Sequence, residues 1–171
     1  DRDDDMIMTG KRHQFIFDYE VGFSDNGKIN GLKILMASNC GISADLSGAI
    51  NDRAIYHIDN AYFIPNLDLT SHRCKTNTVS NTAFRGFGGP QGMFCIENII
   101  DHIAHHLKKE PANIRVQNFY KKNHNNITHY GMKIEDNIIE EIFNDLKKKS
   151  NYTMRKKEIE KFNNSNEILK K

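Results

Sequence analysis

Cysteine is scarce in this 171-residue chain, and its three cysteines, Cys40, Cys74 and Cys95, are far apart. Because no CxxC pair occurs, the spacing predicts neither a disulfide framework nor a zinc or iron–sulfur site. Isolated cysteines of this kind are typical of a reducing, intracellular compartment.

Long hydrophobic runs and a charge excess are absent as well. No apolar stretch approaches the roughly 20 residues that a membrane-spanning helix needs. The 24 basic and 22 acidic residues give a formal net charge of +2, too near balance to indicate a nucleic acid or an anionic membrane as a partner. The acidic start, which lacks methionine, is expected either of a piece of a longer polypeptide or of a processed chain. The 38% hydrophobic content is enough for one globular domain with a sizeable core.

The first part of the chain has the pattern of a β-hairpin followed by a helix. Residues 14–23 alternate with period two, which predicts a half-buried strand. Residues 24–27 favour a turn, so we expect a second strand over residues 28–37. Ser43 or Asp45 is available to cap the next helix, and Arg53 would lie off its apolar stripe. That stripe consists of Leu46, Ile50, Ala54, Ile55 and Ile58.

The second part is mostly helical by its spacing. Strands are predicted over residues 61–69, interrupted by Pro65, and over residues 70–76. A helix should follow from Gln91, and Pro111 should open a short one. An amphipathic helix ending in lysines near residue 149 and a peripheral helical tail complete the prediction. The apolar face of the helix after Gln91 is formed by Phe94, Ile96, Ile100, Ile103, Ala104 and Leu107.

Residues 84–92, FRGFGGPQG, are the part of the sequence best suited to hold a ligand. Four glycines within seven positions permit unusual backbone angles and close approach of another group to the main chain. Since the segment opens a helix, its free N–H groups could serve an electron-rich ligand. The pattern alone leaves a tight connection and a ligand cradle equally open, and it matches neither the P-loop nor the GxGxxG turn.

Two aromatic side chains and several histidines admit both a binding and a structural interpretation. Phe87, between two glycines, can present its face to a flat heterocycle, whereas Phe84 fits an ordinary core aromatic. His102 and His106 are one helical turn apart and could chelate a metal. No glutamate completes an HExxH arrangement, so solvent-facing or capping histidines are favoured.

The segments CKTN, SNTA and FRGFGGPQG, together over residues 74–92, resemble the sequence of xanthine dehydrogenases and the related aldehyde oxidases. Similarity extends outward through TGKRH at residues 9–13, DRA at residues 52–54 and NFYK at residues 118–121. It covers nearly the whole chain and is closest to the eukaryotic single-chain type. Gln14 departs from the family pattern, which often has proline there, and Thr78-Val79 replaces a common leucine–proline pair.

This resemblance implies a role for a few residues. Phe87 corresponds to the phenylalanine that packs against the purine, and Arg53 to an arginine that points at the substrate and stabilises its developing negative charge. Arg85 corresponds to the arginine whose main chain lies beside the molybdenum centre. Ala83, Phe84, Arg85 and Gly86 would together contact the cofactor. Aldehyde oxidases typically lack arginine at the position of Arg53, which favours a purine substrate.

The family implies a molybdenum–molybdopterin cofactor here, and FAD and two 2Fe–2S clusters in the rest of the enzyme. Hypoxanthine would be converted to xanthine and xanthine to urate, with NAD as electron acceptor, in a cytoplasmic or peroxisomal homodimer. The catalytic glutamate lies outside this segment, so we expect no catalytic residue and no activity in the chain alone. An aldehyde oxidase-type enzyme and a noncatalytic assembly module with the same fold are the alternatives.

The expected fold class is α+β, with a hairpin and further strands packed with several helices. Residues 1–150 would form part of the molybdenum-cofactor-binding domain. Residues 151–171, which are rich in lysine and asparagine, would form a peripheral helical tail of the same region. The remainder of the parent polypeptide would be the principal partner.

Overall fold

The computed structural model describes residues 1–170, which form two compact units that divide between Glu135 and Asp136. The α+β prediction is confirmed, since the described residues form six helices and one three-stranded sheet. In chain order the elements are α1 (Arg2–Met8), β1 (Phe15–Phe23), β2 (Ile29–Gly41), α2 (Ser47–Tyr56), β3 (Leu67–Lys75), α3 (Gly89–Leu107), α4 (Pro111–Asn118), α5 (Ile139–Lys149) and α6 (Tyr152–Ser165).

The sheet has the order β1-β2-β3 and is mixed. β1 pairs antiparallel with β2 through the expected hairpin, and its side chains alternate between half-buried and exposed, as the period-two pattern predicted. β2 pairs parallel with β3, and α2 makes the crossover between them. A parallel pair needs such a crossover, so α2 is held against the sheet.

The core of the first unit combines α3, which packs with α2 and α4, with the buried face of β2. Ile96, Ile99, Ile100 and Ile103 of α3 are at most 1% exposed. Phe94, which the apolar pattern assigned to this face, is 69% exposed. Two residues before Ile96 is about 200° around the helix, so Phe94 points away from the buried row.

Two further sequence expectations were wrong, and one helix was not predicted. Residues 61–66 are not part of a strand, because pairing of β3 with β2 begins at Leu67, beyond the N–H-deficient Pro65. The residue preceding α2 is Leu46, and no side chain caps the helix, so neither Ser43 nor Asp45 has that role. The short helix α1 gave no periodic signal, but Asp1 caps it through the N–H groups of Asp3 and Asp4.

The second unit consists of α5 and α6, near the positions expected from the sequence. Neither helix has a buried residue. The assignment of residues 1–150 to the molybdenum-cofactor-binding domain and of residues 151–171 to a peripheral tail of the same region stays a prediction. Within residues 1–170, no helix is both long enough and apolar enough to cross a bilayer.

Candidate functional site

The glycine-rich segment forms a tight left-handed turn directly before α3. Gly86, Phe87 and Gly88 have φ values of +91°, +53° and +96°. The N–H of Phe87 donates to the carbonyl of Phe84 at 2.8 Å, and the N–H of Gly89 donates to the carbonyl of Gly86 at 3.0 Å. A left-handed conformation costs about 1–2 kcal/mol for a residue with a side chain, so surrounding contacts hold Phe87 there.

The glycines at the start of α3 are required by the packing of helices. A Cβ atom added to Gly88 would lie 2.0 Å from the carbonyl oxygen of Ile50, and one added to Gly92 would lie 2.3 Å from that of Ala54. The backbones of α2 and α3 therefore touch at these points. Both glycines are needed for this contact whether or not a ligand approaches the turn.

Arg53 lies on the turn of α2 that contacts the glycine-rich segment. Its side chain is exposed, as expected, while the neighbouring Ala54 is fully buried and meets Gly92. Burial lowers the pKa of His57, the Arg53 cation lowers it further, and Asp59 opposes both effects. A Cβ on Gly89 would lie 3.1 Å from the His57 ring. The His57 ring is thus packed between the Arg53 turn and the start of α3.

The four positions expected to contact the cofactor, Ala83 to Gly86, are exposed and consecutive on this turn. In the part of the chain that the structure describes, the N–H groups of Arg85 and Gly86 donate to no acceptor. Phe87 is half-buried, whereas Phe84 is 54% exposed. Phe84 is therefore not the ordinary core aromatic that its sequence context admitted.

Arg12, near the start of the chain, contacts the glycine-rich turn. Its Nη2 donates to the carbonyl oxygen of Arg85 at 2.7 Å, and its Cζ lies 4.4 Å from the centre of the Phe84 ring. Sequence reasoning assigned no role to Arg12. Its only signal was its place in the GKRH segment, which resembles family sequence without indicating a contact 73 residues away.

The histidines of α3 make contacts with β1. The hydroxyl of Tyr19 and Nδ1 of His102 share a hydrogen bond, and the ring of His106 meets Phe23 edge-on with centroids 5.7 Å apart. Residues 1–170 contain no group of three histidine, cysteine, aspartate or glutamate side chains arranged to hold a metal ion. These histidines therefore serve the attachment of α3 to the sheet.

Comparison with known proteins adds to this geometry. Residues 1–119 match the family model of the molybdopterin cofactor-binding domain. Over 171 residues the chain is 47% identical to a xanthine dehydrogenase of Calliphora vicina and 44% identical to the xanthine dehydrogenase/oxidase of Gallus gallus. The similarity extends over the whole of this chain, which corresponds to only 12% of the length of each relative. The aldehyde oxidoreductase of Desulfovibrio desulfuricans matches 89% of this chain, using 16% of its own, with a TM-score of 0.80 and 26% identity.

Proposed function

Because the chain belongs to the molybdopterin cofactor-binding domain family, we propose that it forms one wall of a purine-hydroxylating site in a xanthine dehydrogenase. The complete enzyme would convert hypoxanthine to xanthine and xanthine to urate. The observation that supports this proposal most is the contact of Gly88 with Ile50 and of Gly92 with Ala54. It brings the turn bearing Phe87 next to the turn bearing Arg53.

The exposed main chain of residues 83–86 suits a molybdenum–pterin cofactor. A cofactor rich in oxygen and nitrogen acceptors can use N–H groups that have no partner within residues 1–170, and Arg85 and Gly86 present two of them. When bound, the cofactor would supply the oxygen transfer and the two-electron redox chemistry of hydroxylation. The main chain of Arg85 would lie beside the molybdenum, with Ala83, Phe84 and Gly86 completing the wall.

Two side chains would act on the substrate. Phe87, held half-buried by its glycine neighbours, would offer its ring face to the flat purine and fix its orientation. Arg53 would stabilise the negative charge that develops on the purine during attack. Its guanidinium lowers the pKa of His57, so the two side chains are close enough to interact. Proton removal would fall to a glutamate elsewhere in the parent polypeptide.

The wider assignment follows from the same proposal. The remaining polypeptide would carry FAD and two 2Fe–2S clusters, pass electrons to NAD and form a homodimer in the cytoplasm or the peroxisome. A second candidate is oxidation of aldehydes, which the likeness to the aldehyde oxidoreductase favours. The exposed cation at Arg53 favours the purine, because an aldehyde develops no charge delocalised over a ring.

An Arg53→Met variant of the full-length parent distinguishes the two candidates. We expect kcat/KM for xanthine to fall by about 10²–10³-fold, as for loss of a preorganised charge in a dry site, while turnover of an aromatic aldehyde is retained. Arg155→Met, at an exposed position of α6, is the matched control and should leave both reactions unchanged. An equal loss of both activities in Arg53→Met would contradict the purine assignment.

The isolated chain should form no urate from xanthine with an artificial electron acceptor, even after reconstitution with the cofactor. The base required for proton removal is missing from it. Urate formed by the 171-residue chain, measured by its ultraviolet absorbance, would overturn this division of the site.

A further inference from the structure

The cofactor-binding turn cannot hold its own shape. Gly86, Phe87 and Gly88 are all left-handed, and two glycines that flank one aromatic residue have many other accessible conformations. The two backbone hydrogen bonds of the turn, at Phe87 and Gly89, close its interior only. A contact from outside is needed to fix the peptide between Phe84 and Gly86.

Arg12 makes that contact from two directions. The hydrogen bond from Nη2 to the carbonyl oxygen of Arg85 fixes the orientation of the peptide that joins Arg85 to Gly86. Because a peptide is planar with its C=O and N–H opposed, holding this carbonyl against Arg12 directs the N–H of Gly86 the other way. The guanidinium of Arg12, which lies over the Phe84 ring, restrains Phe84, the residue before Arg85.

Arg12 is itself fixed by its neighbours on both sides of the turn. The N–H of Thr82 donates to the carbonyl of Lys11 at 3.1 Å, ahead of the turn. Gln91 Nε2 donates to the carbonyl of His13 at 3.2 Å, just after the turn. His13 is 2% exposed, and its Nε2 lies 2.7 Å from Ser47 Oγ at the start of α2. Residues 11–13 therefore form a brace that joins the two ends of the turn to α2.

We propose that Arg12 is a positioning residue for the molybdenum cofactor: it holds the Arg85 carbonyl inward so that the main chain beside it faces the cofactor. This inference rests on the proposed function, since it takes residues 83–86 as the cofactor contact. Arg12 touches neither cofactor nor substrate in this assignment. Its Nη1 is buried without an acceptor among residues 1–170, so the side chain remains in place for these two contacts at a cost.

Arg12→Lys and Arg12→Gln variants of the full-length holoenzyme test the assignment. Lysine keeps the charge but loses the planar fork and the stacking on Phe84. We expect the molybdenum cofactor to dissociate at least about tenfold faster from both variants, measured as molybdenum and pterin lost from the folded protein over time. The kcat for xanthine should fall while KM stays near the wild-type value. Arg2→Lys, whose side chain is 89% exposed, should match the wild type.

A double variant separates positioning from general destabilisation. If Arg12 acts through the turn, Arg12→Lys should accelerate cofactor loss less in a Phe84→Leu background than in the wild type, because the stacking contact is already gone. Equal acceleration in the two backgrounds, or unchanged cofactor retention in Arg12→Lys, would overturn the inference. A purely structural Arg12 would lower the melting temperature without changing cofactor loss from folded protein.

Failure of the proposed function gives a different result. A wild-type holoenzyme that holds the cofactor but forms no urate would contradict the purine assignment, while the cofactor-retention measurement still decides the role of Arg12. A wild-type parent without molybdenum would overturn the proposed function and this inference together.

Discussion

At the scale of single residues, Gly88 is the position where the fold and the candidate site constrain each other most closely. It ends the left-handed turn, precedes α3 and lies against the backbone of Ile50 in α2. Its φ of +96° is costly for any residue with a side chain, and the space for a Cβ is already occupied. Two separate physical requirements therefore demand glycine here.

Gly88→Ala should lower the free energy of unfolding by about 3 kcal/mol or more, the sum of a backbone term and an overpacking term. Gly131→Ala is the matched control, because Gly131 has a similar φ of +87° and nothing within 4 Å of its would-be Cβ. That variant should lose only about 1 kcal/mol. Urea unfolding followed by circular dichroism measures both. Equal losses would show that the contact with Ile50 contributes nothing.

Individual site residues were predictable from the sequence to different degrees. The glycine-rich segment was recognisable as an unusual turn before a helix, and Arg53 was correctly placed off the apolar stripe of its helix. The packing requirement for glycine at positions 88 and 92 could not be recognised, because it depends on a helix about 40 residues earlier in the chain. Arg12 was missed for the same reason, since no local periodicity reports a long-range contact.

At the scale of elements, local sequence patterns predicted secondary structure correctly where one face of an element is buried. They failed where strand formation depends on a neighbouring strand to pair with. β1 has clean alternation because only one side packs, and its prediction was confirmed. Residues 61–66 contain the same kinds of side chain but find no strand beside them, apart from a single bridge between Tyr62 and Phe119. Strand formation there was decided by tertiary context rather than by propensity.

Asn118, at the end of α4, joins elements that are distant in the sequence. Its Oδ1 accepts from the N–H of Ile29 at 2.8 Å, and its Nδ2 donates to the carbonyls of Gly27 at 2.8 Å and Ile114 at 2.9 Å. The side chain thereby gives hydrogen-bond partners to two backbone groups at the end of the β1–β2 turn, the N–H of Ile29 and the carbonyl of Gly27. It is buried, with 3% exposure, so water cannot replace it.

Asn118→Ala should lower the free energy of unfolding by about 3 kcal/mol, because it leaves two buried backbone groups of the hairpin, the N–H of Ile29 and the carbonyl of Gly27, without hydrogen-bond partners. Asn113→Ala changes an exposed asparagine of the same helix and should stay within about 0.5 kcal/mol of the wild type. Urea midpoints of the two variants provide the measurement. A small effect of Asn118→Ala would mean that the hairpin turn is satisfied by other groups.

At the scale of the whole molecule, burial is concentrated in the first unit. The residues that are buried most deeply lie between Ile29 and Ile114. The family match likewise ends at residue 119. α5 is strongly amphipathic by its sequence, yet Ile142 and Leu146 are 52% and 61% exposed. The two units are therefore expected to differ in local stability.

Hydrogen exchange of the 171-residue chain should report this difference. Amides of α3 from Ile96 to Ile103, a segment whose four isoleucine side chains are buried in the core, should exchange at least about a hundredfold more slowly than those of α5 and α6. Mass spectrometry of peptides from each helix resolves the two classes. Comparable protection of α5 and α3 would contradict the concentration of stability in the first unit.

The interlocked backbones of α2 and α3 have a consequence for how substrate preference can change. With glycine pressed against a main-chain carbonyl, the two backbones are already in contact and cannot approach more closely, so this contact sets the spacing between the Arg53 turn and the Phe87 turn. If the proposed function holds, a descendant of this protein would accept a wider or narrower range of ring sizes only by exchanging the side chains of these two turns. Altering the distance between the turns would require repacking the two helices.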